Sequence, residues 1–281
     1  VENHPEDEFI FFFDRSYDQK FIFGKNVQAV VLGPQARRPL LFKIWFNYSV
    51  KKALKKYKAD VFFSPDGYLS LTTNCPQVGV IHDLNFEHYP EDLPKWASRY
   101  LKKYFPRFAK KATEIITVSE FSKNDIQKTY GIADGKITVA YNGGSELFIP
   151  LNKSEKTRII EAYGRGNNYF VFVGALHARK NVERLFKAFD NFKKNSESTT
   201  QLVIVGEKLW SNQSIENTFN SLQYNKDILF TGHLPMDELT KVVGAAQALV
   251  FPSYFEGFGI PLVEAMRAET PIICGNLTAL P

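Results

Sequence analysis

The sequence is poor in the features that mark secreted, metal-binding and membrane-spanning proteins. Its two cysteines, Cys75 and Cys274, form neither a spaced set of metal ligands nor an evident disulfide framework. No apolar run approaches the length of a membrane span, and Phe9–Phe13 is among the longest. The sequence also contains no Asp-x-Asp pair and no cluster of histidine or cysteine ligands. We therefore expect a protein of a reducing compartment that has no secretory signal.

Positive charge is modest in total and uneven in its distribution. The formal net charge is +5. Two segments predicted to be helices concentrate the basic residues, and the second is interleaved with aromatic residues. These basic residues are Lys51, Lys52, Lys55, Lys56 and Lys58 in one segment and Lys102, Lys103, Arg107, Lys110 and Lys111 in the other. Such surfaces bind anionic lipid or nucleic acid, and they also occur as solvated helix faces over an aromatic core, so both interpretations stay open.

Apolar runs of strand length alternate with helix-like segments along the chain, which is typical of parallel sheets with crossover helices. Strands are predicted near residues 9–13, 27–32, 60–63, 78–81, 114–118, 137–140, 169–173, 201–205, 228–230, 248–251 and 271–274. Helices are predicted at 40–58, 120–130, 181–194 and 235–246. Ser119 is the expected N-cap of the second, and the third places Val182, Leu185, Phe189 and Phe192 on one core face. A length of 281 residues suits two domains, and the turn Asn142-Gly143-Gly144 opens the best boundary between them. The sequence therefore predicts two doubly wound α/β domains, 1–147 and 148–281, that face a cleft.

The most informative segment is the nonapeptide from Glu256 to Glu264, EGFGIPLVE, which follows the predicted strand 248–251. Pro261 suits the start of a helix because it has no N–H to lose there, and the free N–H groups of a helix N-terminus hold anions. The segment falls at the carboxyl edge of a parallel sheet, where open α/β sheets bind ligands. Glu256 and Glu264 could then hold different parts of one phosphorylated ligand. The alternative is that Glu256 complements the helix dipole and Glu264 is a solvated surface acid.

A second loop that joins a predicted strand to a helix runs from Gly174 to Asn181, after the strand 169–173. Arg179 and Lys180 precede a helix N-terminus, where a cation is disfavoured by a few tenths to about 1 kcal/mol. They therefore require a neighbouring anion, and a diphosphate shared with the turn Gly257–Ile260 would supply it. The alternative is that both side chains point to water.

Several segments together resemble the signatures of the family 4 glycosyltransferases, which are retaining enzymes of the GT-B fold. The resemblance rests first on Val250-Phe251-Pro252-Ser253 followed by the nonapeptide Glu256–Glu264. The further matching segments are Val80–Leu84, Tyr89-Pro90-Glu91, Thr117–Ser119, Phe121–Lys123, Asn142-Gly143 and Phe230–Gly232. These motifs follow the family's order from about Lys43 to Pro281, and this ordered agreement is far more specific than any one motif.

The resemblance implies a metal-independent hexosyltransferase without a cofactor, which moves a sugar from a nucleotide-diphosphate donor to a glycan or lipid-linked acceptor in polysaccharide synthesis. The residues that it places at the donor diphosphate are Lys180, Arg179, Gly174, Gly257, Phe258, Gly259 and Ile260. Glu264 is expected to hold the ribose hydroxyls, and the backbone of Thr231 and Gly232 to contact the base. Glu256 and His82 are the expected catalytic residues at the sugar.

The resemblance also implies which parts of the family's fold this chain lacks and where it is located. Members of the family normally begin with a strand and a glycine-rich loop and continue past Ala279-Leu280-Pro281 through further helices. We expect this chain to lack both parts, which puts its activity in isolation in question. The resemblance favours a cytoplasmic protein with peripheral contact at the inner face of the membrane, and no nucleic-acid partner. The rival interpretations are a nucleotide-sugar epimerase, a phosphorylase and a basic, non-enzymatic nucleic-acid-binding protein.

Overall fold

The structure is a computed structural model that describes residues 1–207 and 213–281. The chain divides into two compact units. The first comprises Val1–Thr117 and Lys123–Val139, and the second comprises Val118–Ser122 and Ala140–Pro281. The short segment Val118–Ser122 thus groups with the second unit, although the chain on either side of it belongs to the first.

The first unit contains two parallel sheets. Strands β1 (Phe9–Phe13) and β2 (Val27–Val31) form one of them. The other has the order β3-β4-β5-β6, formed by β3 (Phe62–Ser64), β4 (Gln77–Val80), β5 (Glu114–Thr117) and β6 (Ile137–Val139). The helices of this part of the chain are α1 (Pro39–Ile44), α2 (Lys51–Lys56), α3 (Asn85–His88), α4 (Lys95–Lys111) and α5 (Glu120–Tyr130).

The predicted helix 40–58 is continuous in the structure, but its middle turns are wider than an α-helix. Residues Trp45–Val50 form a π-helical stretch between α1 and α2. Trp45 is buried there, and its indole N–H donates to the carbonyl of Leu32 at 2.8 Å, just beyond β2. The helix is therefore fixed to the two-stranded sheet by a buried hydrogen bond as well as by apolar packing.

The second unit contains one five-stranded parallel sheet of order β11-β10-β7-β8-β9. Its strands are β7 (Tyr169–Val173), β8 (Gln201–Val205), β9 (Ile228–Gly232), β10 (Ala248–Phe251) and β11 (Ile272–Cys274). Its helices within the described residues are α6 (Lys153–Gly164), α7 (Val182–Lys194), α8 (Gln213–Ser221), α9 (Met236–Gly244) and α10 (Ile260–Arg267). None of the described helices has the length and apolar character needed to cross a bilayer.

The apolar strands of this sheet form the core of the second unit. All five residues of β8 are buried, as expected for a parallel strand with helices on both of its faces. Helix α7 packs Val182, Leu185 and Phe189 into this core, as its periodicity predicts. Phe192, predicted on the same face, lies near the end of the helix and is 37% exposed, and its ring contacts those of Phe170 and Phe189.

The strand order creates the position where a ligand is expected. The chain adds β8 and β9 on one side of β7 and then returns to place β10 on the other side. The loops after β7 and β10 therefore leave the sheet side by side at its carboxyl edge. This is the topological switch point at which doubly wound sheets bind ligands. The prediction of an α/β fold with parallel sheets in two domains is confirmed.

Candidate functional site

Two loops meet at the switch point of the second unit. The β7 loop (Gly174–Asn181) and the β10 loop (Pro252–Gly259) are joined by hydrogen bonds between their backbones and side chains. The Tyr254 N–H donates to the Arg179 carbonyl at 3.0 Å, and the Asn181 amide donates to the Pro252 carbonyl at 3.1 Å. The two segments that the sequence singled out are therefore neighbours in space.

Arg179, Lys180 and Glu256 form a buried cluster of charges at this junction, named here the ion triad. Lys180 Nζ lies 2.7 Å from Glu256 Oε1, and Arg179 Nη1 lies 2.8 Å from Glu256 Oε2. Each carboxylate oxygen thus has its own cation. Glu256 is 7% exposed, and Lys180 Nζ also lies 4.6 Å from the ring centroid of Phe251, the last residue of β10.

The surroundings of Glu256 keep its carboxylate ionised. Burial acts to raise the pKa of Glu256, but the charges of Lys180 and Arg179 outweigh it, so the pKa lies below its usual value. Two cations and one anion leave the triad with one net positive charge. A positive charge held at a ligand-binding edge favours an anionic ligand.

The triad answers one question that the sequence left open. The alternative in which Arg179 and Lys180 both point to water is wrong, because both contact Glu256. The sequence prediction assigned their neutralisation to a bound diphosphate, whereas in the structure Glu256 provides the anion. Binding of a diphosphate beside them stays a prediction.

The start of α10 leaves backbone donors next to the triad. Gly259 caps this helix with a φ of 98°, and Ile260 is its first residue, so Pro261 stands second and not first as predicted. Among the described residues, no protein acceptor is found for the N–H groups of Gly257, Phe258 and Gly259. These amides and the helix N-terminus can donate to one anion.

The hydroxyls of Ser119 and Ser122 hold the opposite side of the β10 loop. They donate to the Gly257 carbonyl at 2.6 and 3.2 Å, and both serines are buried. Ser119 also accepts the Ser122 N–H at 3.1 Å, so it caps α5 as its sequence position suggested. Because the Gly257 carbonyl is held in this way, the peptide groups that follow it are fixed in orientation.

Glycines bring the carboxyl ends of β7, β8 and β9 close together. Gly206 has a φ of 150°, and a Cβ added there would collide with the Gly174 carbonyl. The Gly206 N–H donates to Gly232 at 3.0 Å, and the Thr231 hydroxyl donates to the Gly232 carbonyl at 3.0 Å. Thr231 and Gly232 end β9, two strands from β7, which is about 10 Å along the sheet edge.

Glu264 lies one turn into α10 and is half-buried. Burial raises the pKa of this carboxyl. Among the described residues, no hydrogen-bond donor or cation is found for it. A carboxylate without a protein partner can accept two hydrogen bonds from a ligand.

His82 lies in the first unit, two residues after β4 and therefore at the carboxyl edge of its own sheet. Its side chain is exposed, and Nε2 lies 2.9 Å from the Pro65 carbonyl. Since a carbonyl only accepts, Nε2 is the donor in this hydrogen bond. The role predicted for His82 at a sugar stays a prediction.

Acidic and histidine side chains close enough together to share a metal ion are found, within residues 1–207 and 213–281, only at His4, Glu6 and Asp7. All three are exposed and lie in the first unit.

Sequence reasoning missed several residues that support the site. Ser122 and Gly206 were not assigned to it, and Ser119 was identified only as a helix cap. Thr278 was also missed, and its hydroxyl accepts the Glu256 N–H at 3.0 Å. The positive φ that favours glycine gives no sequence signal for Gly206 by itself, and the Thr278 contact joins residues 22 positions apart.

Two family models match almost the whole chain. The model described as Glycosyltransferase Family 4 matches residues 8–144, and that described as Glycosyl transferases group 1 matches residues 153–281. O-antigen chain mannosyltransferase B of Escherichia coli is 27% identical over 249 residues, which is 87% of this chain and 65% of that protein. O-antigen chain mannosyltransferase RfbU of Salmonella typhimurium is 29% identical over 242 residues, 85% of this chain and 63% of that one. The chain thus spans just under two thirds of the length of these relatives.

Solved structures show the same fold. HepE from Anabaena, in complex with UDP and glucose, has a TM-score of 0.72 at 18% identity, covering 96% of this chain and 73% of that one. WaaG, a glycosyltransferase of lipopolysaccharide biosynthesis, has a TM-score of 0.72 at 17% identity, with coverage of 96% and 74%. The matched models, the parallel sheets of the two units and these neighbours agree with the motifs of the sequence. This chain belongs to the family 4 glycosyltransferases of the GT-B fold.

Proposed function

We propose that this chain is the body of a retaining, metal-independent glycosyltransferase that takes a sugar from a nucleoside-diphosphate donor. The proposal depends on the meeting of Arg179, Lys180 and Glu256 at the switch point with the backbone N–H groups of Gly257–Gly259, for which the described residues provide no acceptor. A diphosphate needs several donors and positive charge in one place, and this position offers both.

The donor binds along the carboxyl edge of the five-stranded sheet. Its diphosphate lies at Lys180, Arg179 and the start of α10, beside Gly174. Its ribose hydroxyls donate to Glu264, whose carboxylate has no partner among the described residues. Its base reaches the backbone of Thr231 and Gly232. The spacing of about 10 Å between β7 and β9 suits the extent of a nucleotide.

The reaction breaks the bond between the anomeric carbon and a diphosphate oxygen and forms a bond from that carbon to an acceptor oxygen on the same face. The acceptor's proton passes to the departing phosphate. Negative charge grows on the leaving group, and Lys180, Arg179 and the amides near Gly257 stabilise it. Because these groups neutralise the diphosphate, no metal is required. Glu256 and His82 position the sugar as its positive charge develops, without a covalent intermediate.

Mannosyl transfer to a growing surface polysaccharide is the activity that the relatives support. The two similar proteins from E. coli and S. typhimurium are O-antigen mannosyltransferases, and the Anabaena neighbour holds UDP and glucose. The acceptor is then a glycan or a lipid-linked glycan. The alternatives, a nucleotide-sugar epimerase or a phosphorylase, differ in their products: an isomer of the donor without an acceptor, or a sugar phosphate formed from a glycan.

Binding of a nucleotide to the full chain tests the donor assignment. UDP, GDP, ADP and their sugars are compared by thermal shift, since a ligand that binds the native state raises its melting temperature. We expect one nucleotide family to stabilise the protein, and Lys180→Ala to abolish this shift. Lys187→Ala, which removes an exposed lysine from helix α7 directly after the β7 loop, is the matched control and should leave the shift intact. Equal shifts in both variants would exclude Lys180 from the donor site.

A basic hollow in the first unit supports peripheral contact with an anionic membrane. A cavity of about 680 Å³ is lined by four lysines, Lys51, Lys52, Lys55 and Lys58. No acidic residue lines it. Lipid phosphates of the cytoplasmic leaflet attract such clusters by about 1 kcal/mol per basic residue. This contact would hold the enzyme at the inner face of the membrane, next to a lipid-linked acceptor.

Vesicle sedimentation tests the membrane contact. We expect binding to vesicles that contain phosphatidylglycerol, little binding to pure phosphatidylcholine, and a loss of binding in Lys51→Gln/Lys55→Gln. Lys128→Gln/Lys153→Gln removes the same charge from two exposed lysines on α5 and α6 and should bind like the unmodified protein. Equal loss in the two double variants would show unspecific charge attraction instead of a site on α2.

A further inference from the structure

We propose that Glu256 sets the selectivity of the diphosphate site, by disfavouring a free nucleoside diphosphate relative to the same nucleotide carrying a sugar. This inference rests on the proposed function, because it assumes that Lys180 and Arg179 meet a diphosphate. It assigns Glu256 a role in discriminating the donor from the released product, beyond positioning the sugar.

The three side chains of the ion triad pair with one another. The two oxygens of Glu256 each contact one cation, at 2.7 and 2.8 Å, and the Glu256 side chain is 9% exposed. A diphosphate that approaches Lys180 and Arg179 must share these cations with a carboxylate or take them from it. In either case two anions face one another around the same cations.

This repulsion is weakly screened because Glu256 is buried. Interactions between charges a few ångströms apart are several times stronger at a protein site than in bulk water. A free nucleoside diphosphate offers no donor near its terminal phosphate to compensate the carboxylate. Glu256 therefore weakens the binding of the free nucleotide.

A sugar changes this balance. Its hydroxyl groups donate hydrogen bonds, and an ionised carboxylate accepts them through both oxygens. When Glu256 leaves its cations to the diphosphate, its oxygens become available to sugar hydroxyls. The donor therefore recovers an interaction that the product lacks, and the free nucleotide is released more easily after transfer.

Calorimetric titration of the full chain at one ionic strength tests the inference, with UDP, UDP-glucose, GDP and GDP-mannose as probes. Glu256→Gln is expected to bind the free diphosphate of the preferred nucleotide about tenfold tighter, as removal of one close like charge implies. It should bind the sugar nucleotide no tighter than the unmodified protein. The preference for the sugar nucleotide then falls about tenfold. Glu161→Gln removes the charge of an exposed glutamate on α6 and should change neither affinity.

A purely structural role for Glu256 predicts a different result. Loss of an ion pair that only supports the fold would lower the melting temperature and leave the ratio of the two affinities unchanged. That result overturns the inference, as does weaker binding of the free diphosphate. If Glu256→Gln does not fold, Glu256→Asp keeps the charge but withdraws it by one methylene, and its ratio should shift in the same direction. An unchanged ratio in the Asp variant would equally overturn it.

The titrations separate this inference from the proposed function. If the unmodified protein binds none of the four nucleotides, or if Lys180→Met binds them as tightly as the unmodified protein, the donor site is wrong and the inference falls with it. If Lys180→Met weakens binding but Glu256→Gln does not tighten the free nucleotide, the donor site stands and only the selectivity role of Glu256 is refuted.

Discussion

Replacing Lys180 with methionine should destabilise the second unit strongly. The substitution keeps the length of an apolar stem but removes the cation 2.7 Å from a carboxylate that is 9% exposed. Removing one partner of a buried ion pair costs about 3–5 kcal/mol, because the other charge stays buried. Arg179 still contacts the second oxygen of Glu256, so we expect the lower value, about 3 kcal/mol. For a unit of about 150 residues this lowers the melting temperature by about 6–12 °C.

Urea unfolding followed by circular dichroism measures this effect in Lys180→Met, Glu256→Met and the double variant. The double variant should lose at least about 1.5 kcal/mol less than the sum of the single losses, because the second substitution removes a charge that the first has left unpaired. Lys187→Met, on the exposed face of α7, is the control and should lie within about 0.5 kcal/mol of the unmodified protein. Additive losses, or a loss for Lys180→Met no larger than the control's, would refute a coupled buried triad.

Three further predictions concern the same unit. Because the folded protein lowers the pKa of Glu256, the ionised carboxylate stabilises the native state above pH 4.5, the ordinary glutamate value. This stabilisation is lost as the pH falls through the lower pKa of the folded protein. Glu256→Gln should therefore reduce the dependence of the melting temperature on pH at the acid end. An unchanged acid limb would contradict this. Ser119→Ala should cost about 1–2 kcal/mol in urea unfolding because the Gly257 carbonyl loses its shorter hydrogen bond, and Ser119→Thr should restore most of it. Gly206→Ala should lower the free energy of unfolding by about 1–3 kcal/mol, because its φ of 150° strains an alanine, and it should also weaken nucleotide binding. Gly135 has open space around it and an ordinary φ, so Gly135→Ala should change little in both assays.

The fold was predictable because buried parallel strands appear in the sequence as short, nearly continuous apolar runs. Strands β7 and β8 are five residues long and almost entirely apolar, and their observed bounds equal the predicted ones. Helix α7 follows its apolar spacing from Val182 onward. Helix boundaries that depend on tertiary contacts differ from the predicted ones by one or two residues. Helix α10, for example, begins at Ile260, with Gly259 in the cap position.

The pairing inside the site was not predictable from the sequence. Lys180 and Glu256 are 76 residues apart, and Ser119 and Gly257 are 138 apart. The sequence predicted that the two loops share one diphosphate, because both follow strands at the carboxyl edge of a sheet. It assigned Glu256 to the sugar and did not predict its direct contacts with Lys180 and Arg179. Local spacing does not encode the order of strands that brings these side chains together. Once β10 lies beside β7, their loops meet and the ion pairs follow.

A crystal structure of this protein with a bound nucleotide sugar tests the donor site most directly. We expect the diphosphate within hydrogen-bond distance of Lys180 Nζ and of at least one backbone N–H between Gly257 and Ile260, with the ribose at Glu264. A diphosphate bound elsewhere, with the contacts of Lys180 and Arg179 to Glu256 undisturbed and no ligand near them, would contradict it.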